Sequence, residues 1–165
     1  MDIFARVPTR LPIMVLADWL AALPANLAQT GITLYPGAPP RSIRRFEGQL
    51  HLRLPEDFRL FYSWCDGFES TTDWFRMVPL DEIMTHPGNY QPPRRFTIAE
   101  CLLYCDTWEV ELLNAPSAYR ILNTYRGQQV VLTTSLASFL QHFLRGGVYA
   151  ANGLYAWAER LLAGG

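Results

Sequence analysis

The chain has 165 residues, half of them apolar and 13% aromatic against 18% charged, a balance that closes one hydrophobic core without disulfide or metal staples and excludes a disordered chain. The formal net charge is −1 and every basic residue is an arginine; without a basic patch on a recognisable reader fold, no direct nucleic-acid ligand is expected. No apolar run approaches the ~20 residues a bilayer-spanning helix needs, and Asp2, Pro8 and Asp18 spoil residues 1–20 as a secretory signal, so the expectation is a cytoplasmic protein with no membrane partner.

Residues 13–23 have helical spacing around Trp19, and Pro24 and Gly31 break the pattern, so residues 1–40 read as a helical appendage on the domain. The turn-rich Tyr35-Pro36-Gly37-Ala38-Pro39-Pro40 then leads into two amphipathic helices. Ser42 is a suitable N-cap for the first, whose apolar face is Ile43, Phe46 and Leu50. Pro55 suits the first position of the second, because it lacks an N–H that would be unsatisfied there, and Glu56 and Asp57 complement the positive end of the helix dipole. Phe58, Phe61, Tyr62 and Cys65 line one face of that helix, and Gly67 offers a left-handed stop.

Beyond Gly67 the pattern changes to short extended runs. A polar loop over residues 68–73 precedes a strand at 74–78 and a helical turn at 79–83. The proline-rich stretch 86–95 is a surface loop. Strands are expected over 96–103 and 108–113 around a tight turn at Cys105-Asp106-Thr107, then over 119–125 and 128–133 around Arg126-Gly127. Thr134 or Ser135 caps a helix carrying Leu136, Phe139, Leu140 and Phe143, which Gly146-Gly147 ends. A C-terminal helix occupies 152–163. Helix pair, meander, helix is an α+β order: a single domain over 1–165, with a central mostly antiparallel sheet of four to six strands and helices packed around it.

The charge is unevenly spread. Residues 1–53 and 112–165 each sum to +3, whereas residues 54–111 carry four arginines against eleven acids. That middle third makes a candidate acidic face able to steer a basic partner. The candidate partner-binding residues are therefore Asp66, Glu69, Asp73 and Trp74 after the helix pair, and Asp106, Trp108, Glu109 and Glu111 in the following strand region. Trp108, Val110 and Leu112 alternate with Glu109 and Glu111, as in a strand with one buried and one exposed face; Trp74 and Trp108 are also natural core residues.

Cys65, Cys101 and Cys105 are odd in number and scattered, which fits free thiols better than a disulfide framework. Cys101-x3-Cys105 is at most half a metal site, since His86 and His142 supply no second paired spacing. His51, His86, His142 and the acids form no recognised catalytic spacing, and the acids at 66, 69 and 73 lack the rhythm of a calcium loop. No catalytic residue, metal or cofactor is expected.

The run Phe46 to Gly67, FEGQLHLRLPEDFRLFYSWCDG, resembles the signature of the Smi/Knr cell-wall-assembly regulator family of the SUKH superfamily. Glu47, Leu54, Pro55, Phe58, Phe61, Asp66 and Gly67 occupy its "Glu … Leu-Pro … aromatic … Asn/Asp-Gly" places. Phe75 to Ile83 is similar to the family's next landmark, and Ser135-Leu136-x-x-Phe139-Leu140 with Gly146-Gly147 to its closing helix. The likeness covers residues 42–147. It implies a mixed sheet surrounded by helices and no catalytic residues. Bacterial members look like immunity proteins that neutralise a cognate polymorphic toxin, often a nuclease, and fungal members act as regulatory scaffolds. The expected function is thus non-enzymatic binding of a toxin, with an adaptor binding a host protein as the alternative.

Overall fold

The two helices foreseen after residue 40 are α1 (Pro40–Leu50) and α2 (Glu56–Trp64) in a computed structural model that describes Leu27 and residues 31–165. The helix expected at 13–23 lies outside the described residues. α1 starts three residues earlier than a Ser42 cap would place it. Pro39 is extended, with φ −66° and ψ 154°, and makes no side-chain cap; its carbonyl accepts the Ser42 amide at 2.8 Å, so paired prolines set the start through their fixed φ. Pro55 likewise sits just before α2 rather than within it.

The hinge between these helices is tied by Glu47. Its Oε1 accepts the Leu54 amide at 2.8 Å and Arg59 Nε at 2.8 Å, and its Oε2 pairs with the Arg59 guanidinium. One carboxylate thus satisfies a main-chain donor that the hinge leaves without a helical partner and anchors α2 to α1.

Among the described residues, eight strands form one sheet: β1 (Ile32–Leu34), β2 (Phe68–Ser70), β3 (Phe75–Met77), β4 (Tyr90–Gln91), β5 (Arg95–Cys101), β6 (Asp106–Leu112), β7 (Tyr119–Tyr125) and β8 (Gln128–Thr133). The order is β1-β2-β3-β5-β6-β7-β8, with β4 beside the start of β5. Every pairing among the described residues is antiparallel, unlike the mixed sheet the resemblance implies. The sheet exceeds the expected four to six strands because β1, β2 and β4 have three, three and two residues. That is too short for alternation to register, and their place is set by pairing alone. β1 falls within the stretch read as a helical appendage and closes one edge of the sheet.

Helices α3 (Leu80–Thr85), α4 (Leu136–Gly146) and α5 (Leu154–Ala163) complete the described fold. The large aromatics show which face of the sheet the helices cover. Phe46 of α1 and Phe58 of α2 meet Phe96 of β5 edge to face. Phe143 of α4 stacks on Phe75 at 4.1 Å, and Phe139 and Tyr155 flank Trp108. Trp108 is fully buried in this core. Tyr119 adds a polar bridge, donating to Asp57 of α2 and accepting the Leu136 amide of α4 at 2.7 Å. Ser135 caps α4 through the Ser138 amide, as its position predicts.

Gly67 has a different role from the helix stop expected of it. α2 ends at Trp64, with Cys65 extended. Gly67 has φ +93°, and a Cβ there would collide with the Met77 carbonyl oxygen of β3. Gly67→Ala should therefore destabilise the fold by more than about 3 kcal/mol. Gly48, on the exposed side of α1 with open space around it, is the contrast: Gly48→Ala should add ~0.5–1 kcal/mol. Urea denaturation of the two variants checks both, and equal effects would contradict the assignment.

Candidate functional site

At one end of the sheet, here called the apex, two turns meet. The β2–β3 turn ends in Trp74, and the β5–β6 turn runs over residues 102–105. Strand β5 stops at Cys101, two residues short of the expected end, and the turn is Leu102–Cys105 rather than Cys105–Thr107. Leu102, Leu103 and Tyr104 have φ 53°, 56° and 65°, and Trp74 has φ 52°. A left-handed conformation costs a non-glycine residue about 1 kcal/mol or more, so three in a row persist only where surrounding bonds hold them.

Those bonds come from beneath. Glu100, 1% exposed, accepts the Tyr104 amide at 2.8 Å and Arg76 Nε at 2.6 Å. Arg76 then forks onto both oxygens of Glu82, at 2.6 and 3.0 Å. The Tyr104 hydroxyl donates to Glu82 at 2.6 Å and accepts from Asn89 at 2.9 Å, and His86 stacks on its ring. On the neighbouring side, the Leu102 amide donates to the Trp74 carbonyl at 3.0 Å. The buried carboxylate, paired and hydrogen-bonded as burial requires, fastens the turn to β3, β5 and α3.

What this anchored turn presents is apolar. Leu103 is 83% exposed and Trp74 67%, with Leu102 and Tyr149 also exposed beside them. Tyr149, from the α4–α5 connection, lies 3.1 Å through its hydroxyl from Cys101 Sγ. The remaining exposed large apolar residues among those described, Leu113, Val131 and Leu161, lie singly elsewhere in the fold, as is ordinary for a surface.

Of the eight sequence candidates, three come together at the apex. Trp74 is exposed there. Asp73 beside it is half-buried, and its Oδ1 accepts the Val148 amide at 3.1 Å, which ties the α4–α5 connection down. Asp106 accepts from Asn123 at 3.0 Å. Trp108 is core and is removed from the set. Asp66 lies at the opposite end, where its Oδ1 accepts the Leu80 amide at the start of α3; burial raises its carboxyl above the ordinary value, although that bond opposes the rise. Glu69 is exposed on β2 and accepts from Tyr35 at 3.2 Å.

Glu109 and Glu111 do point away from the core, but they do not form a free acidic face. Arg95 lies 3.3 Å from Glu109 and 3.5 Å from Glu111, and Arg120 pairs with Glu111 from β7. Antiparallel register places Arg95 and Arg120 on either side of Glu111, neutralising what a charge count along the chain reads as an acidic block. The Arg120 bond holds the Glu111 carboxyl below its usual range.

The two buried thiols, Cys65 and Cys101, are not activated nucleophiles. Cys65 is fully buried, its thiol donates to the Gly67 carbonyl, and burial pushes its pKa up to about 11. Burial also raises Cys101, and thiolate chemistry needs the reverse shift. Among the described residues, no group of three His, Cys, Asp or Glu side chains could hold a metal ion, and no helix is long and apolar enough to cross a membrane.

Sequence reasoning missed Leu102, Leu103 and Tyr149. The available signal was the run Cys101-Leu102-Leu103-Tyr104-Cys105, in which apolar residues continue where a half-buried strand would alternate. No family model matches the chain, and no curated protein matches it.

The Arg76 bond holds the Glu82 carboxyl below its ordinary 4.5. A lowered folded-state value stabilises the protein above pH 4.5, and that stability is lost as pH falls below it. Burial and Glu82 together push Tyr104 up to about 12 from 10.0, so its contribution is complete below pH 10 and lost between about 10 and 12. Glu82→Gln should flatten the acid limb of a stability-versus-pH curve. An unchanged slope below pH 4.5 would contradict the network.

Proposed function

We propose that this chain is a non-enzymatic protein-binding domain that docks its partner at the apex, and that the partner is a cognate bacterial toxin domain, which it neutralises. The observation that carries the binding reading is the gathering of Trp74, Leu102 and Leu103 on turns whose backbone is held by hydrogen bonds. Exposed aromatic and aliphatic side chains on a rigid support are what an interface hot spot needs, because little conformational entropy remains to be lost on binding. Left-handed backbone at exposed apolar residues is strain without a packing benefit in the free protein, and strain of this kind clusters at functional positions.

The toxin reading rests on the resemblance of residues 42–147 to the Smi/Knr family, in whose bacterial members neutralisation of toxins, nucleases among them, is the expected role. The structural parts of that motif have other work: Glu47 ties the hinge, and Gly67 lets β3 approach. The apex has exposed apolar side chains that these scaffold residues lack.

Co-expression with the toxin encoded next to this gene should restore growth. Trp74→Ala and Leu103→Ala should each weaken the complex by about 2 kcal/mol, roughly 30-fold in Kd, while leaving the thermal midpoint nearly unchanged, since neither side chain is in the core. Absence of a neighbouring toxin gene would favour a regulatory adaptor that binds a host protein. Full binding by the double variant would remove the apex as the interface.

A further inference from the structure

The opposite end of the sheet carries a groove of about 580 Å³, within the ~300–1,000 Å³ range of ligand-binding clefts. Its walls are the α1–α2 hinge at residues 51–56, the stretch before β5 at 93–94, and the β6–β7 connection at 112–118. Because Asp106 begins β6 at the apex and Leu112 ends it in the groove, the two surfaces are separated by the length of the strand.

The walls are held in place without a ligand. Glu47 fixes the hinge through the Leu54 amide, and the Leu52 amide donates to the Glu47 carbonyl at 3.1 Å. The Leu112 amide donates to the Arg94 carbonyl at 2.9 Å, the Leu113 amide to Ala118 at 2.8 Å, and the Ala118 amide to Ala115 at 3.1 Å. The Arg94 guanidinium reaches the Asn114 side chain across the groove.

Within this fixed frame Arg53 is left over. It lies in the extended segment between the two helices, outside any strand. Neither its main-chain groups nor its guanidinium has a hydrogen-bond or ion-pair partner among the described residues. The flanking Leu52 and Leu54 amides are already taken by Glu47, so Arg53 alone offers its main-chain groups to an extended peptide, and its unpaired guanidinium can receive a carboxylate. Arg53 and Arg94 face a single acid, Glu56, across the groove lining, whereas elsewhere on the sheet arginines are matched to glutamates. The charged side chains of the lining therefore sum to +1 in a protein of net charge −1. Leu112, Leu113 and Pro116 supply apolar lining beside the charges.

We propose that this groove is a second binding site, independent of the apical one, and that it takes an extended acidic peptide segment of a partner protein. The segment lies along the hinge, setting its carboxylates on Arg53 and Arg94 and an apolar side chain on Leu112, Leu113 and Pro116. Alternate side chains of an extended peptide point to opposite sides, so an acidic–apolar alternation suits such a lining.

The test is an amide-proton NMR titration of the full chain with the peptide Ac-Ala-Leu-Glu-Leu-Glu-Ala-NH2, alongside the same peptide with both glutamates replaced by lysine. The acidic peptide should shift the amides of Arg53, Arg94 and residues 113–118, weaken with added salt, and outbind the lysine peptide. Arg53→Glu with Arg94→Glu should reduce its affinity by about tenfold or more; both side chains are exposed, and a thermal melt checks that the fold is kept. Ala115→Trp, which fills the groove without altering its charge, should have the same effect. The proposal is overturned if millimolar acidic peptide shifts none of these amides, if the lysine peptide binds equally, if the variants bind as the parent does, or if the shifts centre on Trp74 and Leu103. Loss of toxin neutralisation in the apical variants leaves this result untouched, so the two sites fail separately.

Discussion

Glu100 places a carboxylate where water does not reach, and one end of the molecule is organised around satisfying it. Arg76 answers it from β3, and the Tyr104 amide answers it from the turn beyond β5. The remaining guanidinium nitrogens are then taken by Glu82 of α3, which also receives the Tyr104 hydroxyl. A buried charge is tolerable only when fully met in this way, and removing any member leaves the others exposed to the desolvation they were arranged to offset. The same requirement that orders the network holds three left-handed residues in sequence and so decides where Leu102 and Leu103 point.

The opposite end is built on the same logic with a different carboxylate. Glu47 takes the Leu54 amide and the Arg59 guanidinium, which sets the angle between α1 and α2 and leaves an extended segment on the surface. Between the two ends, the sheet separates two surfaces of different chemistry. Its covered face holds the aromatic core from Phe96 to Trp108, and its open face carries a ladder of arginine–glutamate pairs that consumes Glu109 and Glu111 of β6. The available chemistry is therefore at the ends of the strands, where turns and hinges are not committed to packing.

Much of the scaffold was legible in the chain. The helices at 40–50, 56–64 and 136–146 follow from apolar residues at three- and four-residue spacing, and β6, β7 and β8 from alternation and a two-residue turn. β1, β2 and β4 were not legible, because two or three residues cannot show a period. The candidate site was read only in part. Trp74 and its neighbour Asp73 were named, but Leu102, Leu103 and Tyr149 were hidden, since an exposed leucine and a buried one are written with the same letter.

The sequence by itself determined the α+β class, the helix faces and the Leu-Pro hinge, because each depends on residues close together in the chain. Only the tertiary structure decided which charges remain free. Glu109 and Glu111 sit in an acidic stretch of sequence, yet Arg95 and Arg120 reach them from β5 and β7, whereas Arg53 has no such neighbour among the described residues. Charge neutralisation falls off over a few ångströms, and strand register sets which side chains lie within that range. Position along the chain does not.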